Sequence, residues 1–404
     1  MTRIGILGHR FIEWGGGLDF LRMVCASLHA TGEPLQLHLL LPTRGPRAAA
    51  LALAHQAQGL LLQALGRGSM AAFAPAHDIV LDAVADTGGE VQIHTIDAGD
   101  AALLRAAARL ALDVVLPAFD PLPPGATLPW VGYVYDFQHL HLPQLFTPED
   151  RAKRDRNFAR LLDRADVVIA NARAVADDAR RFRPQSQARI VALPFSAAPA
   201  PAWLDIDVGA VCARHGLQQP YFIVCNQFWV HKDHGTAFRA FAQVAAAHPD
   251  VHLVCTGATS DHRSPAHFET LMQFVAAHGL QPRVHVLGLI PKREQIALVR
   301  AALALVQPTL SEGGPGGGAV YDAVSLGVPA LVSDIAVNRE IDEPEVRFFR
   351  AGDADDLARG MHAALQAGSV PAPSSDDLLR RGRQRRAQCG QALLQAIAMA
   401  RQRR

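Results

Sequence analysis

Four short segments of the chain gather residue types able to bind anions or orient hydroxyl groups. In Ser311-Glu312-Gly313-Gly314-Pro315-Gly316-Gly317-Gly318, five glycines stand beside one carboxylate. Glycines let backbone N–H groups approach a phosphate closely, above all where a helix begins, and Glu312 can accept hydrogen bonds from ligand hydroxyls. Asp322 lies ten residues beyond Glu312, inside the apolar helix expected over Ala319–Ser325, and is expected to face the same cleft. No Gly-Lys-Ser/Thr follows the glycines, so this is not a Walker loop.

The second segment, Asn226-Gln227-Phe228-Trp229-Val230-His231-Lys232-Asp233-His234, contains one of only three lysines in the chain; the others are Lys153 and Lys292. An ammonium near the start of a helix can hold a phosphate jointly with the helix dipole. A lysine there is also expected to be solvent-reachable, so that removing it costs little stability. The third segment, Asp136-Phe137-Gln138-His139 with His141 close behind, could orient a polar substrate; equally, Asp136 could cap the next segment and the histidines lie on the surface. In the fourth, Trp14-Gly15-Gly16-Gly17, Gly16 and Gly17 could contact a phosphate or an acceptor, or serve only a tight turn.

Elements that could position these segments are legible as alternating apolar runs and helical spacings. Strands are expected at Arg3–Leu7, Leu35–Leu41, Val114–Pro117, Val131–Tyr135, Val167–Ala170 and Arg189–Leu193. Helices are expected at Leu18–His29, Ala48–Leu65 and Arg151–Asp163. Pro194–Trp203, with three prolines, reads as a linker. The alternation then restarts, with strands at Tyr221–Cys225, Val251–Thr256, Val284–Leu287, Leu303–Gln307, Ala330–Ser333 and Val346–Phe349 and helices between them. Such repetition predicts an α/β protein of two doubly wound parallel-sheet domains, in which ligands sit beyond the carboxyl ends of the strands. The expected division is 1–195, 196–375 and a basic helix over 376–404 whose Leu393, Leu394, Ile397 and Ala400 share one face.

Composition narrows the function classes. The chain has 404 residues, half of them apolar, with 39 Lys+Arg against 38 Asp+Glu. That balance excludes a disordered chain and argues against a nucleic-acid binder. Five scattered cysteines with no CxxC pair read as reduced core residues. Met1–Gly8 is too short for a secretory signal and no apolar stretch is long enough to span a membrane, so a cytoplasmic protein is expected.

The run Glu312–Asp322 followed by Ala323-Val324-Ser325-Leu326-Gly327-Val328-Pro329-Ala330 resembles the donor-site region of retaining GT-B glycosyltransferases of family GT4. The Asn226–His234 loop is similar to that family's phosphate-contacting loop, with Lys232 in the lysine position and Asn226 where an arginine often stands. Leu287-Gly288-Leu289-Ile290 resembles the segment that touches the nucleotide base, and Asp136–His139 with Pro143–Phe146 resembles the acceptor side of a bacterial polysaccharide or lipopolysaccharide subgroup. Tyr135 stands where many members carry histidine, and Asp322 where the family's second acid is usually glutamate.

The resemblance implies a GT-B fold of two Rossmann-like domains facing a cleft. It implies retaining transfer of a sugar from a nucleotide diphosphate donor, such as GDP-mannose or a UDP-sugar, to a glycan or lipid-linked acceptor in cell-surface polysaccharide assembly. Candidate catalytic residues are Glu312, Lys232, Asp136 and His139; candidate donor contacts are Asn226, Gly288, Leu289, Gly316, Gly317, Gly318 and Asp322. No metal and no cofactor beyond the donor substrate are expected. The arginine-rich terminal helix raises an expectation of peripheral docking on the inner membrane face, or else of a strap across the two domains. Two other readings stay open: a nucleotide-sugar epimerase of the same fold, and a non-catalytic sugar-nucleotide-binding protein.

Overall fold

Short runs of Val, Ile and Leu without alternation make strands that must be covered on both faces, and the chain supplies helices between them to do so. The computed structural model describes residues 1–8, 10–11, 15–42, 87–368 and 373–402. The helix expected over Ala48–Leu65, Trp14 of the first glycine segment, and Arg403 and Arg404 lie outside the described residues.

The first sheet has seven strands: β1 (Thr2–Leu7), β2 (Leu35–Pro42), β3 (Val91–Ile96), β4 (Val114–Ala118), β5 (Trp130–Val134), β6 (Val167–Ala170) and β7 (Arg189–Ala192). Their spatial order is β3-β2-β1-β4-β5-β6-β7, with every pair parallel. The second sheet has six: β8 (Tyr221–Cys225), β9 (His252–Thr256), β10 (Val284–Gly288), β11 (Ala304–Gln307), β12 (Ala330–Ser333) and β13 (Val346–Phe349). Its order is β10-β9-β8-β11-β12-β13, again all parallel. The two-sheet expectation is met, and most expected strands lie within a residue of their observed ends. Strand β3 and the helices Asp100–Arg109, Arg173–Phe182 and Val208–Arg214 were not foreseen.

Each sheet buries apolar side chains on both faces. Ile4, Ile6, Leu37, Leu39, Val114, Leu116, Val131, Val167 and Ile169 form one core cluster with Leu21, Val24, Cys25 and Leu28 of the Gly15–His29 helix. Phe222, Val224, Leu253 and Val306 take one face of the second sheet, and Tyr221, Ile223, Val254 and Leu305 the other. All five cysteines are free thiols; Cys25, Cys212, Cys255 and Cys389 are buried. Burial pushes the Cys25 and Cys225 thiols up to about 12, which keeps them inert.

The terminal helix runs Ser375–Gln402 and returns to the first domain. Cys389, Leu393, Ala396, Ile397 and Ala400 complete that domain's core. Gly390 permits the crossing, since a Cβ there would stand 2.0 Å from the Ser27 carbonyl oxygen. On the way the helix ties to the second domain: Arg385 grips Glu343 with two bonds of 2.5 Å, and Arg381 pairs with Glu345 at 3.0 Å. The helix thus straps the two domains together. Its apolar stripe is consumed in the core, so it offers no such stripe to a membrane surface. Among the described residues no helix is long and apolar enough to cross a membrane.

Candidate active site

The loops beyond the carboxyl ends of β5, β8, β9 and β11 meet: Lys232 pairs with Glu312, Arg263 reaches Gln138, and Gly313 lies against Tyr135. Beyond β8 the chain enters a short 3-10 turn at Val230–Lys232, and Asp233 follows in the left-handed conformation at φ 48°. Its carboxylate accepts the Thr236 N–H at 3.2 Å and the Thr236 hydroxyl at 2.6 Å, capping the His234–Ala247 helix. This turn points Lys232 inward. Its ammonium donates to Glu312 Oε1 at 2.5 Å, and both side chains are about nine-tenths buried. The expectation of a solvent-reachable lysine is therefore corrected: Lys232 is 8% exposed, because the left-handed turn at Asp233 ends the loop one residue after it.

Glu312 Oε1 receives a second hydrogen bond, from Gln307 Nε2 at 3.0 Å, and Gln307 Oε1 in turn accepts from Asn226 Nδ2 at 2.8 Å. Asn226 thus orders the carboxylate through Gln307 with one of its two amide N–H groups.

The glycine segment crosses toward the first domain. A Cβ on Gly313 would lie 2.5 Å from the Tyr135 carbonyl oxygen, and one on Gly314 would touch Asn171 at 3.4 Å. The helix Gly317–Ser325 begins there, with Gly316 at φ 72° as its cap and Gly317 at φ 62°. The Glu312 carboxylate lies 3.0 Å from where a Gly317 Cβ would be, close to the positive end of the helix. The expected row of free amides is smaller than foreseen. Gly316 N–H donates to Asn338 Oδ1 at 2.7 Å and Gly317 N–H to the Gly314 carbonyl at 3.2 Å. Gly318, in the first turn, is the amide of the three left to face a ligand.

Asp322 does not join Glu312. It accepts from Lys292 Nζ at 2.5 Å, so the cleft carries two separate lysine–carboxylate pairs. Burial raises the Asp322 pKa above the usual carboxylate value, while the Lys292 ammonium pulls the other way. Gly288 ends β10 at φ 67°, and Leu289 beside it is 74% exposed, an apolar side chain presented at a strand end.

On the first-domain side, Asp136 accepts the Gln138 N–H at 2.9 Å and pairs with Arg154, whose guanidinium lies over the Tyr135 ring at 5.0 Å. His139 corrects another expectation: it is fully buried. Its Nδ1 accepts from Arg154 Nε at 3.2 Å and its Nε2 bonds Asp155 at 3.0 Å, so neither nitrogen is left for a substrate. Burial, then Arg154, lowers its pKa and keeps it neutral. His139 positions Arg154. Gly16 and Gly17 form the first turn of the Gly15–His29 helix; Gly17 is required by packing, since a Cβ there would lie 2.2 Å from the Phe11 carbonyl oxygen.

Three site residues escaped sequence reasoning. Lys292 carried a weak signal in the rarity of lysine. Arg263 reaches Gln138 and His231 from the loop after β9, and Glu340 accepts the N–H groups of Arg173 and Ala174 at 2.8 and 2.7 Å across the two domains. Neither of these had a local signal.

Residues 213–385 match the family described as glycosyl transferases group 1. The two parallel sheets have the GT-B architecture of solved glycosyltransferase structures, and the group 1 sequence pattern lies across the second of them. Among solved structures, sucrose-phosphate synthase from Thermosynechococcus elongatus superposes with a TM-score of 0.61 at 16% identity, covering 100% of this chain and 97% of that one. Anabaena HepE in complex with UDP-glucose gives 0.57 at 14%, covering 100% and 98%. WaaG, described as a glycosyltransferase involved in lipopolysaccharide biosynthesis, gives 0.53 at 13%, covering 96% and 94%. No curated protein sequence matches this chain.

Proposed function

We propose that the protein transfers a hexose, with retention of configuration, from a nucleotide diphosphate sugar to a hydroxyl of a glycan or lipid-linked acceptor in cell-surface polysaccharide assembly. The observation that carries this reading is the buried Lys232–Glu312 pair at the start of the Gly317–Ser325 helix. Lys232, the Gly318 amide and the helix N-terminus present positive charge where a diphosphate would depart, and Glu312 presents a carboxylate where sugar hydroxyls would lie. Leu289 offers an apolar surface to the nucleotide base. A UDP-sugar is the donor favoured, since HepE with UDP-glucose shares the fold over its whole length.

In this scheme the bond from the anomeric carbon to the phosphate oxygen breaks and its electron pair leaves with the diphosphate. The acceptor oxygen bonds the same carbon, and its proton passes to the departing phosphate oxygen. Lys232 stabilises the charge that builds on the phosphate, while Glu312 favours the cationic carbon. Asp136, held by Arg154, lies across the cleft beside Gly313 on the acceptor side.

The test is a panel of UDP-, GDP- and ADP-sugars assayed for transfer to hydroxylated acceptors, with the anomeric product read by NMR. Transfer with retention, abolished in Glu312→Gln, is expected. Conversion of a donor to its epimer without any acceptor would replace this reading with the epimerase one.

A further inference from the structure

We propose that Arg263 is a second cation of the donor site, gripping the outer phosphate of the departing diphosphate from the seam between the two domains; this rests on the nucleotide-sugar reading above. Arg263 lies beyond β9. Its guanidinium stands between two rings, 5.6 Å from Phe146 of the first domain and 5.6 Å from Trp229 of the loop that carries Lys232. Nη1 reaches Gln138 Oε1 at 3.4 Å and Nη2 reaches His231 Nδ1 at 3.3 Å. Both are long for charge-assisted bonds, which run to about 2.9 Å. Nε has no hydrogen-bond partner; Asp261 Oδ1 stands 3.6 Å from it, in ion-pairing range only.

The surroundings hold this arginine in place without using its donors fully. Asp261, almost wholly buried, accepts the N–H of Val230 at 3.2 Å and of Arg263 at 2.9 Å. One carboxylate therefore fixes both the loop bearing Lys232 and the backbone of Arg263. The two aromatic rings flank the guanidinium, and its planar end, with both Nη groups only weakly occupied, suits the bidentate geometry of a phosphate.

Charge balance points the same way. A diphosphate carries more than one negative charge at neutral pH. Lys232 brings one positive charge that Glu312 offsets at 2.5 Å, and Arg154 is committed to Asp136, whereas Arg263 faces its own carboxylate, Asp261, only at 3.6 Å and so is the most loosely paired of the three. His231 adds none: burial first, then Lys232 and Arg263, pushes its pKa down to about 3, so the neutral ring accepts from Arg263. Arg263 touches the residue beside Lys232 and reaches the acceptor-side Gln138, which places it where the bond to the sugar would break.

Calorimetry on the full chain with UDP, GDP and ADP, each beside its monophosphate, tests this. For the nucleotide that wild type binds, Arg263→Ala should lower the preference for diphosphate over monophosphate by about tenfold or more, with Arg263→Lys between the two. Should Arg263→Ala melt below the assay temperature, Arg263→Gln, which keeps a stem between the rings, is read by the same ratio. An unchanged ratio, whether affinities hold or fall together, makes Arg263 an interdomain clasp only and overturns the proposal. Wild type binding none of the three diphosphates sinks the donor reading itself, and this inference with it.

Discussion

Glu312 receives two donors on one oxygen, Lys232 and Gln307, and this economy makes the carboxylate a sensitive position. Glu312→Gln keeps the volume and removes the charge. It leaves the Lys232 ammonium buried without its counter-charge, so it should cost stability, roughly 3 kcal/mol, and in the folded protein lower the transfer rate by about a hundredfold or more, the scale of losing one electrostatic contact to a transition state. Circular dichroism beside a donor-turnover assay checks it. Lys232→Ala likewise breaks a buried ion pair on one side and leaves its partner uncompensated, a loss of roughly 3 kcal/mol. In urea unfolding, Lys232→Ala/Glu312→Ala should be more stable than the sum of the single losses predicts; strict additivity would show that the pair does not couple.

The buried histidines beside these residues give the protein an acid limit. Burial first pushes His231 and His234 down to about 3. An unfolded histidine protonates near about pH 6.5. The unfolded state therefore binds more protons below that value, and stability, full above it, falls as the pH drops toward the folded pKa. His234 stacks on Phe228 at 3.9 Å, and neither of its ring nitrogens has a hydrogen-bond partner. His234→Phe should reduce the drop in melting temperature between about pH 7 and pH 5. A drop as large as that of wild type would remove His234 from the account.

At the scale of elements, the start of the Gly317–Ser325 helix fixes the geometry of the site. Gly317 is needed twice, for a positive φ and for the closeness of Glu312. Gly317→Ala should cost about 1–2 kcal/mol from the left-handed backbone alone. It should also lower activity beyond what the stability loss explains, because the new methyl displaces the carboxylate. Thermal melting beside turnover of the still-folded fraction separates the two effects. Elements of this kind were legible in the sequence where the signal was local. Val167–Ala170 is a closed apolar run, and the five glycines before Ala319 announce a backbone that comes close to something. Val91–Ile96 was not, because His94 and Thr95 interrupt it and an edge strand half open to solvent has no need of an unbroken run. The Lys232–Glu312 partnership joins residues eighty positions apart, and Arg263 meets Gln138 across 125. Side chains brought together by two separate loops leave no trace in spacing.

For the whole molecule, the return of the terminal helix makes the first domain discontinuous. Its core needs Leu393, Ala396 and Ile397 from the far end of the chain, while Arg381 and Arg385 hold the same helix to Glu345 and Glu343 of the second domain. Stability of the first domain and its tie to the second thus share one element. Gly390 is the point at which that element can be tested. A side chain there would meet the Ser27 carbonyl at 2.0 Å and Thr31 at 2.5 Å, and backbone cannot yield as a flexible side chain would. Gly390→Val should therefore destabilise by overpacking, about 1–3 kcal/mol, and lower the melting temperature. Gly209, in the Val208–Arg214 helix, has only an ordinary contact at 3.6 Å for an added Cβ, so Gly209→Ala should instead stabilise, by up to about 1 kcal/mol, through helix propensity. Differential scanning calorimetry on the two variants distinguishes a packing constraint from a general intolerance of the missing glycine. Equal and small shifts would show that the terminal helix lies less closely on Ser27 than the structure has it.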